Sequence, residues 1–88
     1  MNYHTLERQV KGFANHRRIE TLMLLAKKPE LSLEEIADEL KINFKTASEH
    51  VRRLAIAGLV LKRAAGHAVR HKLTPRAENV LKFLRTLE

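Results

Sequence analysis

Four residues near the middle of the chain, Ser32-Leu33-Glu34-Glu35, fix where a helix must begin. A serine followed three positions later by glutamate forms a capping box. The hydroxyl accepts from the Glu35 amide, and the carboxylate accepts from the serine amide. Leu31, just before the cap, stands where a hydrophobic staple residue sits. Leu33, Ile36, Ala37 and Leu40 then recur at helical spacing, which carries the helix to about Leu40. A helix of about nine residues is marginal in water and must be held by packing. Lys41-Ile42-Asn43 follows as a tight connection. Asn43 is placed to cap a further helix over roughly 44–57, with Ala47, Val51, Leu54 and Ile56 inward. Gly58 closes it as a C′ glycine does.

The flanks read in the same way. Tyr3, Leu6, Val10 and Phe13 have helical spacing, so residues 3–13 form a short amphipathic helix whose end Gly12 loosens. A second helix begins at Asn15 or His16. Its inner face is Ile19, Leu22, Met23 and Ala26, widened by Leu25, and Pro29 ends it after Lys27 and Lys28. Beyond Gly58 the period changes to two. Leu59 to Arg63 reads as a strand, Ala64-Ala65-Gly66 as a turn, and His67 to Leu73 as the returning strand. In that strand Val69, His71 and Leu73 share one side, and Ala68, Arg70 and Lys72 the other. Thr74-Pro75 opens a last helix, with threonine as cap and proline at the first position. Its stripe is Ala77, Val80, Leu81, Leu84 and Leu87, with Phe83 beside it. The expected fold is therefore mainly α with a small β-hairpin, as one domain over residues 1–88.

Charge distribution narrows the partner. The chain carries 17 basic and 10 acidic residues, a net +7. Residues 1–40 hold six basic and seven acidic side chains, residues 41–76 nine and one, and residues 77–88 two and two. The segment 41–76 alone thus carries +8, and a polyanion is the natural partner. There is no cysteine, so disulfides and thiolate metal sites are excluded, and a reducing compartment is consistent with that. A chain of 88 residues buries only about 60–65% of its unfolded surface, which makes a partner subunit a useful source of extra stability. No apolar run approaches the roughly 20 residues of a membrane span, and the N-terminus lacks the order of a signal peptide. A cytoplasmic, nucleoid-associated location is expected.

A short capped helix, a tight turn and a second amphipathic helix make a helix-turn-helix, which can present its second helix to a major groove about 12 Å wide. The stretch LSLEEIADELKINFKTASEHVRRLAIAGLVLKRAAGHAVRHKLTPRA goes further. It has Ile36-Ala37 with Leu40, then Thr46, Ser48, His50, Leu54 and Ala57-Gly58-Leu59-Val60, then a basic hairpin and Leu73-Thr74-Pro75. In these residues it resembles the winged helix-turn-helix of the arsenic-repressor (ArsR-like) superfamily. The resemblance covers almost the whole chain. It implies a regulator of transcription that binds double-stranded DNA, with the hairpin as a wing reaching toward backbone or minor groove. It also implies a homodimer paired through the first helix (Leu6, Val10, Phe13) and the last (Val80, Leu84, Leu87). Three positions depart from the pattern. Lys41 stands where glycine is common, and so either holds a strained left-handed turn or marks a reshaped one. Ala47 replaces a larger valine, and Glu49 stands where arginine or another polar residue is usual.

On the recognition helix the expected groove-facing residues are Phe44, Lys45, Ser48, Glu49 and Arg52, with Thr46 near the helix start. Lys45 and Arg52 can donate to guanine edges or phosphate. Glu49 repels phosphate but can accept from a cytosine amine. Phe44 either touches a thymine methyl or packs on the preceding helix. Thr46 meets phosphate or its own backbone. Asn43 is read as a cap, and Arg53 as a solvated or locally paired residue. On the wing, Arg63 and His67 near the tip, with Arg70, are the expected backbone contacts, which position without specifying sequence.

The five histidines do not combine into a ligand set. His67 and His71 are four apart in a strand, a separation of roughly 13 Å. Residues 35–38 read Glu-Ile-Ala-Asp, without the cysteines of metal-sensing relatives, and the last helix has no histidine. No cofactor or metal is therefore expected. His50 and His71 are read as structural. No nucleophile–base pair, phosphate loop or carboxylate pair points to an enzyme. The leading expectation is a dimeric, sequence-specific repressor. The alternatives are a winged-helix module that binds protein and a weakly selective chromatin-like protein, and Glu49 argues against the latter.

Overall fold

The computed structural model describes residues 1–88. Five helices and one hairpin follow in the expected order: α1 (Tyr3–Phe13), α2 (His16–Lys27), α3 (Leu33–Leu40), α4 (Phe44–Ile56), β1 (Val60–Ala65), β2 (Ala68–Leu73) and α5 (Pro75–Thr86). Side-chain caps set most of these boundaries. Asn2 accepts from the Thr5 amide, and Asn15 from the amides of Arg17 and Arg18. Both halves of the capping box form, with the Glu35 amide on Ser32 Oγ at 3.2 Å and the Ser32 amide on Glu35 Oε1 at 2.9 Å. Asn43 accepts from the Thr46 amide at 2.7 Å, and Thr74 from the Ala77 amide at 3.2 Å. Each cap satisfies an amide that the first turn of a helix leaves unpaired.

The core gathers Leu22 and Leu25 of α2, Ile36 and Ala37 of α3, Ala47, Val51 and Leu54 of α4, and Leu59, Val60, Ala77 and Leu81 beyond. Two expected inner positions lie elsewhere. Ala26 is exposed, and its place is taken by Thr21, which is fully buried. The Thr21 hydroxyl can face inward because it donates to the Arg17 carbonyl within the helix, at 2.8 Å. Ile56 is 67% exposed, and Ala57 is buried instead. The spacing 47, 51, 54 fixes the inner line of α4, and Ile56 falls off it by more than a third of a turn.

Gly12 does not loosen α1. It is buried, and a Cβ there would run into the Ala57 methyl, so glycine is what lets α1 cross the end of α4 at close range. Phe13 beside it belongs to the core of its own chain rather than to an outer face.

The turn between α3 and α4 takes the strained alternative. Lys41 has φ 57° and ψ 45°, the left-handed region, and the Ile42 amide closes on the Ala37 carbonyl at 3.1 Å. A β-carbon in this conformation costs about 1–2 kcal/mol. Lys41→Gly is accordingly expected to raise stability by about 0.5–1 kcal/mol, after the larger entropy of glycine in the unfolded chain is subtracted. Urea unfolding checks this: the midpoint should rise with the slope unchanged.

The hairpin is longer than the sequence implies. Its register runs from Val60↔Leu73 to Ala65↔Ala68, so Ala64 and Ala65 pair rather than turn. The turn is Gly66-His67. Gly66 has φ 63° while His67 is not left-handed, as in a type II′ loop, whose first position calls for glycine. Leu31 adds a single antiparallel bridge to His71, which ties the base of the hairpin to the segment before α3. The result is mainly α with a two-stranded wing, a winged helix-turn-helix.

Candidate nucleic-acid interface

The side of α4 opposite Ala47, Val51 and Leu54 carries Lys45, Glu49 and Arg52, all exposed. Thr46 and Ser48 sit half-buried on its flanks. Phe44 is 52% exposed at the N-terminal end and borders a cleft with Leu33 of α3 and Lys62, His67 and Val69 of the wing. Of its two readings, Phe44 thus keeps an open face beside the slot between α3 and the wing.

Glu49 is not a free carboxylate. It accepts from Arg52 Nε at 3.0 Å and Nη2 at 2.8 Å, and from Arg53 Nε at 3.0 Å. The hydrogen bonds from Arg52 and then Arg53 bring its pKa down to about 2, and Glu49 in turn raises that of Arg52. The paired contact fixes the plane of the Arg52 guanidinium, which has five donors and needs only two for this bond. Lys45, Arg52 and Arg53 against Glu49 leave the exposed side of α4 at a net +2.

The wing is wired differently from expectation. Arg63 and Arg70 are cross-strand partners, and both turn to the segment before α3. Arg63 Nε donates to Glu30 Oε1 at 2.5 Å. Arg70 Nη1 donates to the Glu30 carbonyl at 2.8 Å and to Glu35 Oε1 at 3.3 Å. The Ser32 amide chiefly, with the Ser32 hydroxyl and Arg70 adding to it, holds the Glu35 carboxyl below its usual range. The longer strands also move Arg63 away from the tip, leaving Gly66 and His67 there. Glu30, which the sequence reading passed over, is the anchor. It has φ 67°, and its only sequence signal is its place after Pro29.

The two central histidines are structural supports. His71 is buried, with Nδ1 2.9 Å from the Leu31 carbonyl, so Nδ1 carries the proton. Burial chiefly lowers its pKa; the bond to Leu31 works the other way, and Lys62 adds to the lowering. His50 is half-buried beside Arg18 and is lowered first by burial and then by the Arg18 charge. A histidine depressed in the folded state binds fewer protons than the unfolded chain does. Its contribution is complete above the unfolded value near 6.5 and is lost as pH falls below it. Unfolding followed between pH 7.5 and 5 should therefore show stability dropping on the acid side. His71→Gln should flatten that drop while lowering stability at pH 7.5 by about 1–2 kcal/mol.

No group of three or more His, Cys, Asp or Glu residues is placed to hold a metal ion, and no helix is long and apolar enough to cross a membrane. What the site offers is an exposed, basic helix face flanked by a pinned hairpin, which is geometry for a groove and its phosphates.

Comparison with known proteins bears on the same elements. The fold is similar to the homodimeric winged helix-turn-helix DNA-binding domain of a possible ArsR-family transcriptional regulator from Mycobacterium bovis, with a TM-score of 0.88 and 28% identity over 97% of this chain and 79% of that one. It is similar to HlyU from Vibrio cholerae, with a TM-score of 0.83 and 28% identity over 98% of this chain and 94% of that one. NolR from Sinorhizobium fredii shares the fold at a TM-score of 0.87 and 19% identity, over 97% and 85% of the two chains. No curated protein matches the sequence significantly. The family model described as "Bacterial regulatory protein, arsR family" matches residues 15–62, from the cap of α2 through α3, the turn and α4 into the wing. With more than half of its length so matched, the chain belongs to the arsR family of bacterial regulatory proteins, DNA-binding winged helix-turn-helix regulators of transcription.

Proposed function

We propose that residues 1–88 act as one DNA-binding domain that pairs with a second copy and represses transcription by occupying a near-palindromic site at a promoter. The observation that carries the pairing is the orientation of α1. Its polar side, with Thr5, Arg8, Gln9 and Gly12, turns toward α4 of its own chain. Its apolar side is left outward, with Tyr3 77%, Leu6 41% and Val10 50% exposed. Phe83 on α5 and Leu87 at its C-cap are 54% and 66% exposed beside half-buried Val80 and Leu84. An amphipathic helix normally does the reverse. The surface totals 6050 Å² for 10.2 kDa, roughly 700 Å² above what a compact monomer of that mass shows. One side of an ordinary protein interface buries about 800 Å². Phe13 contributes from within the core rather than across the interface.

In this reading α4 enters the major groove. Lys45, Ser48 and Arg52 read base edges or phosphate, Phe44 meets a thymine methyl, and Thr46 lies close to the backbone. Glu49 holds Arg52 in plane and selects against wrong bases. Arg63 and Arg70 brace the wing so that His67 and Lys62 reach the backbone. Two such helices one helical turn apart match a two-fold site. Genome-wide mapping of the bound protein, paired with transcript levels in a deletion strain, tests the role. Bound promoters whose transcripts rise on deletion support repression; bound promoters whose transcripts fall contradict it.

A further inference from the structure

A cleft of about 410 Å³ lies where α1 crosses the end of α4, on the polar side of α1 and away from the apolar face just described. Five cations line it, Arg8, Lys11, Arg18, Arg53 and Arg76, and no carboxylate does. Three of the five have other partners at its edge. Arg53 pairs with Glu49 at 3.0 Å, Lys11 loosely with Glu7 at 3.5 Å, and Arg76 Nη1 donates to the Ala57 carbonyl at 3.0 Å. Arg8 and Arg18 have no carboxylate partner. Arg18 Nε is fully buried and has no hydrogen-bond acceptor.

That donor is the informative atom. A buried N–H without an acceptor costs free energy, and more when the group is charged, so native structures rarely leave one without a reason. Arg18 lines the cleft with four further cations, which add repulsion rather than relief. The same positive field reaches His50, whose pKa is lowered first by burial and then by the Arg18 charge. An anion in the cleft answers both problems: its charge offsets the cluster, and its oxygens accept from the guanidinium fork once Arg18 turns its buried edge toward the cleft.

We propose that the α1–α4 cleft is a binding site for an oxyanion of the phosphate class, held by Arg18 with Arg8 and Lys11 around it. Gly12 supports it, since a side chain there would push α1 off Ala57 and open the cleft. The cleft abuts the end of the recognition helix through Arg53, which an anion would share with Glu49. Occupancy is thereby coupled to the charge that α4 presents. The phosphate comes from the DNA backbone beside the groove or from a free small molecule. The proposal does not depend on the dimeric-repressor reading, because its first test contains no DNA.

The test uses the full chain labelled with ¹⁵N. Inorganic phosphate is titrated in at constant ionic strength against chloride, and the Arg18 Nε–Hε resonance is followed. The expected result is a saturable shift. Arg18→Gln should weaken phosphate binding at least about tenfold, read from the backbone amides around Gly12 and Ala57, while Lys82→Gln on exposed α5 leaves it unchanged. A dispersed spectrum of Arg18→Gln shows that the fold is kept, and Arg8→Gln gives a second, milder loss. A linear drift without saturation, equal in all variants, overturns the proposal. A second arm adds duplex DNA. If duplex drives the Arg18 resonance to the saturated position and phosphate then has no effect, the source is the backbone. If phosphate still titrates in the DNA complex, the source is a free anion.

Discussion

Val10→Asp is expected to leave the fold intact, to turn the protein into a monomer and to lower affinity for its DNA site at least about hundredfold. Val10 is 50% exposed in the single chain, so aspartate there disturbs no core contact. Across the proposed dimer interface the same carboxylate would be buried twice, once from each copy, against Leu6 and the apolar side of α5. A buried charge without a partner is among the costliest changes a surface can undergo. Breaking the dimer removes the effective concentration with which one bound half-site supplies the second, and that is worth a factor of 10²–10⁴ without any change at the DNA surface. Light scattering reads the mass and fluorescence anisotropy the affinity. A variant that stays dimeric, or a monomer that binds as tightly as the parent, contradicts the account.

The second large effect lies on α4. Arg52→Ala is expected to lower affinity for the specific site on the order of tenfold to hundredfold per half-site, and to relax preference at the base it reads. Glu49→Gln should act in the opposite sense on unspecific binding. It frees Arg52 and Arg53 from a carboxylate whose pKa they hold near 2. Random duplex should then bind more tightly, with a salt dependence steeper by about 1–2 ion equivalents, and the margin between specific and random DNA should shrink. Parallel salt titrations of both variants check this. Equal losses on specific and random duplex in Arg52→Ala would reduce that residue to a phosphate contact.

Much of this was legible because local chemistry decides it. The capping box, Asn15, Asn43 and Thr74-Pro75 each satisfy a helix end through a side chain within three residues, so sequence alone locates those ends. The order of elements and the resemblance in Thr46, Ser48, His50 and Ala57-Gly58 led to the same fold. Most of what escaped the sequence depends on long-range contacts, Thr21 excepted. Thr21 goes inward because its hydroxyl finds the Arg17 carbonyl, and apolarity counts cannot anticipate that. Gly12 serves a crossing with Ala57, 45 positions away. Glu30 gathers Arg63 and Arg70 from the wing, so two arginines expected at the DNA backbone from charge and position also have partners within the chain. Arg18 passed unnoticed as one of many basic residues, because the burial of its Nε exists only in the folded chain.

The central claim is that this surface reads a two-fold DNA sequence, and selection of duplexes from a randomised pool by the purified protein tests it most directly. The selection is best run near the physiological ionic strength of about 0.15 M, where unspecific phosphate binding is screened. The account predicts enrichment of a near-palindrome whose half-site centres lie about one helical turn, or 10–10.5 base pairs, apart. Retention without enrichment would contradict sequence-specific reading and leave a chromatin-like role. No retention at all would contradict DNA binding as this protein's function and turn attention to its faces as a protein-binding module.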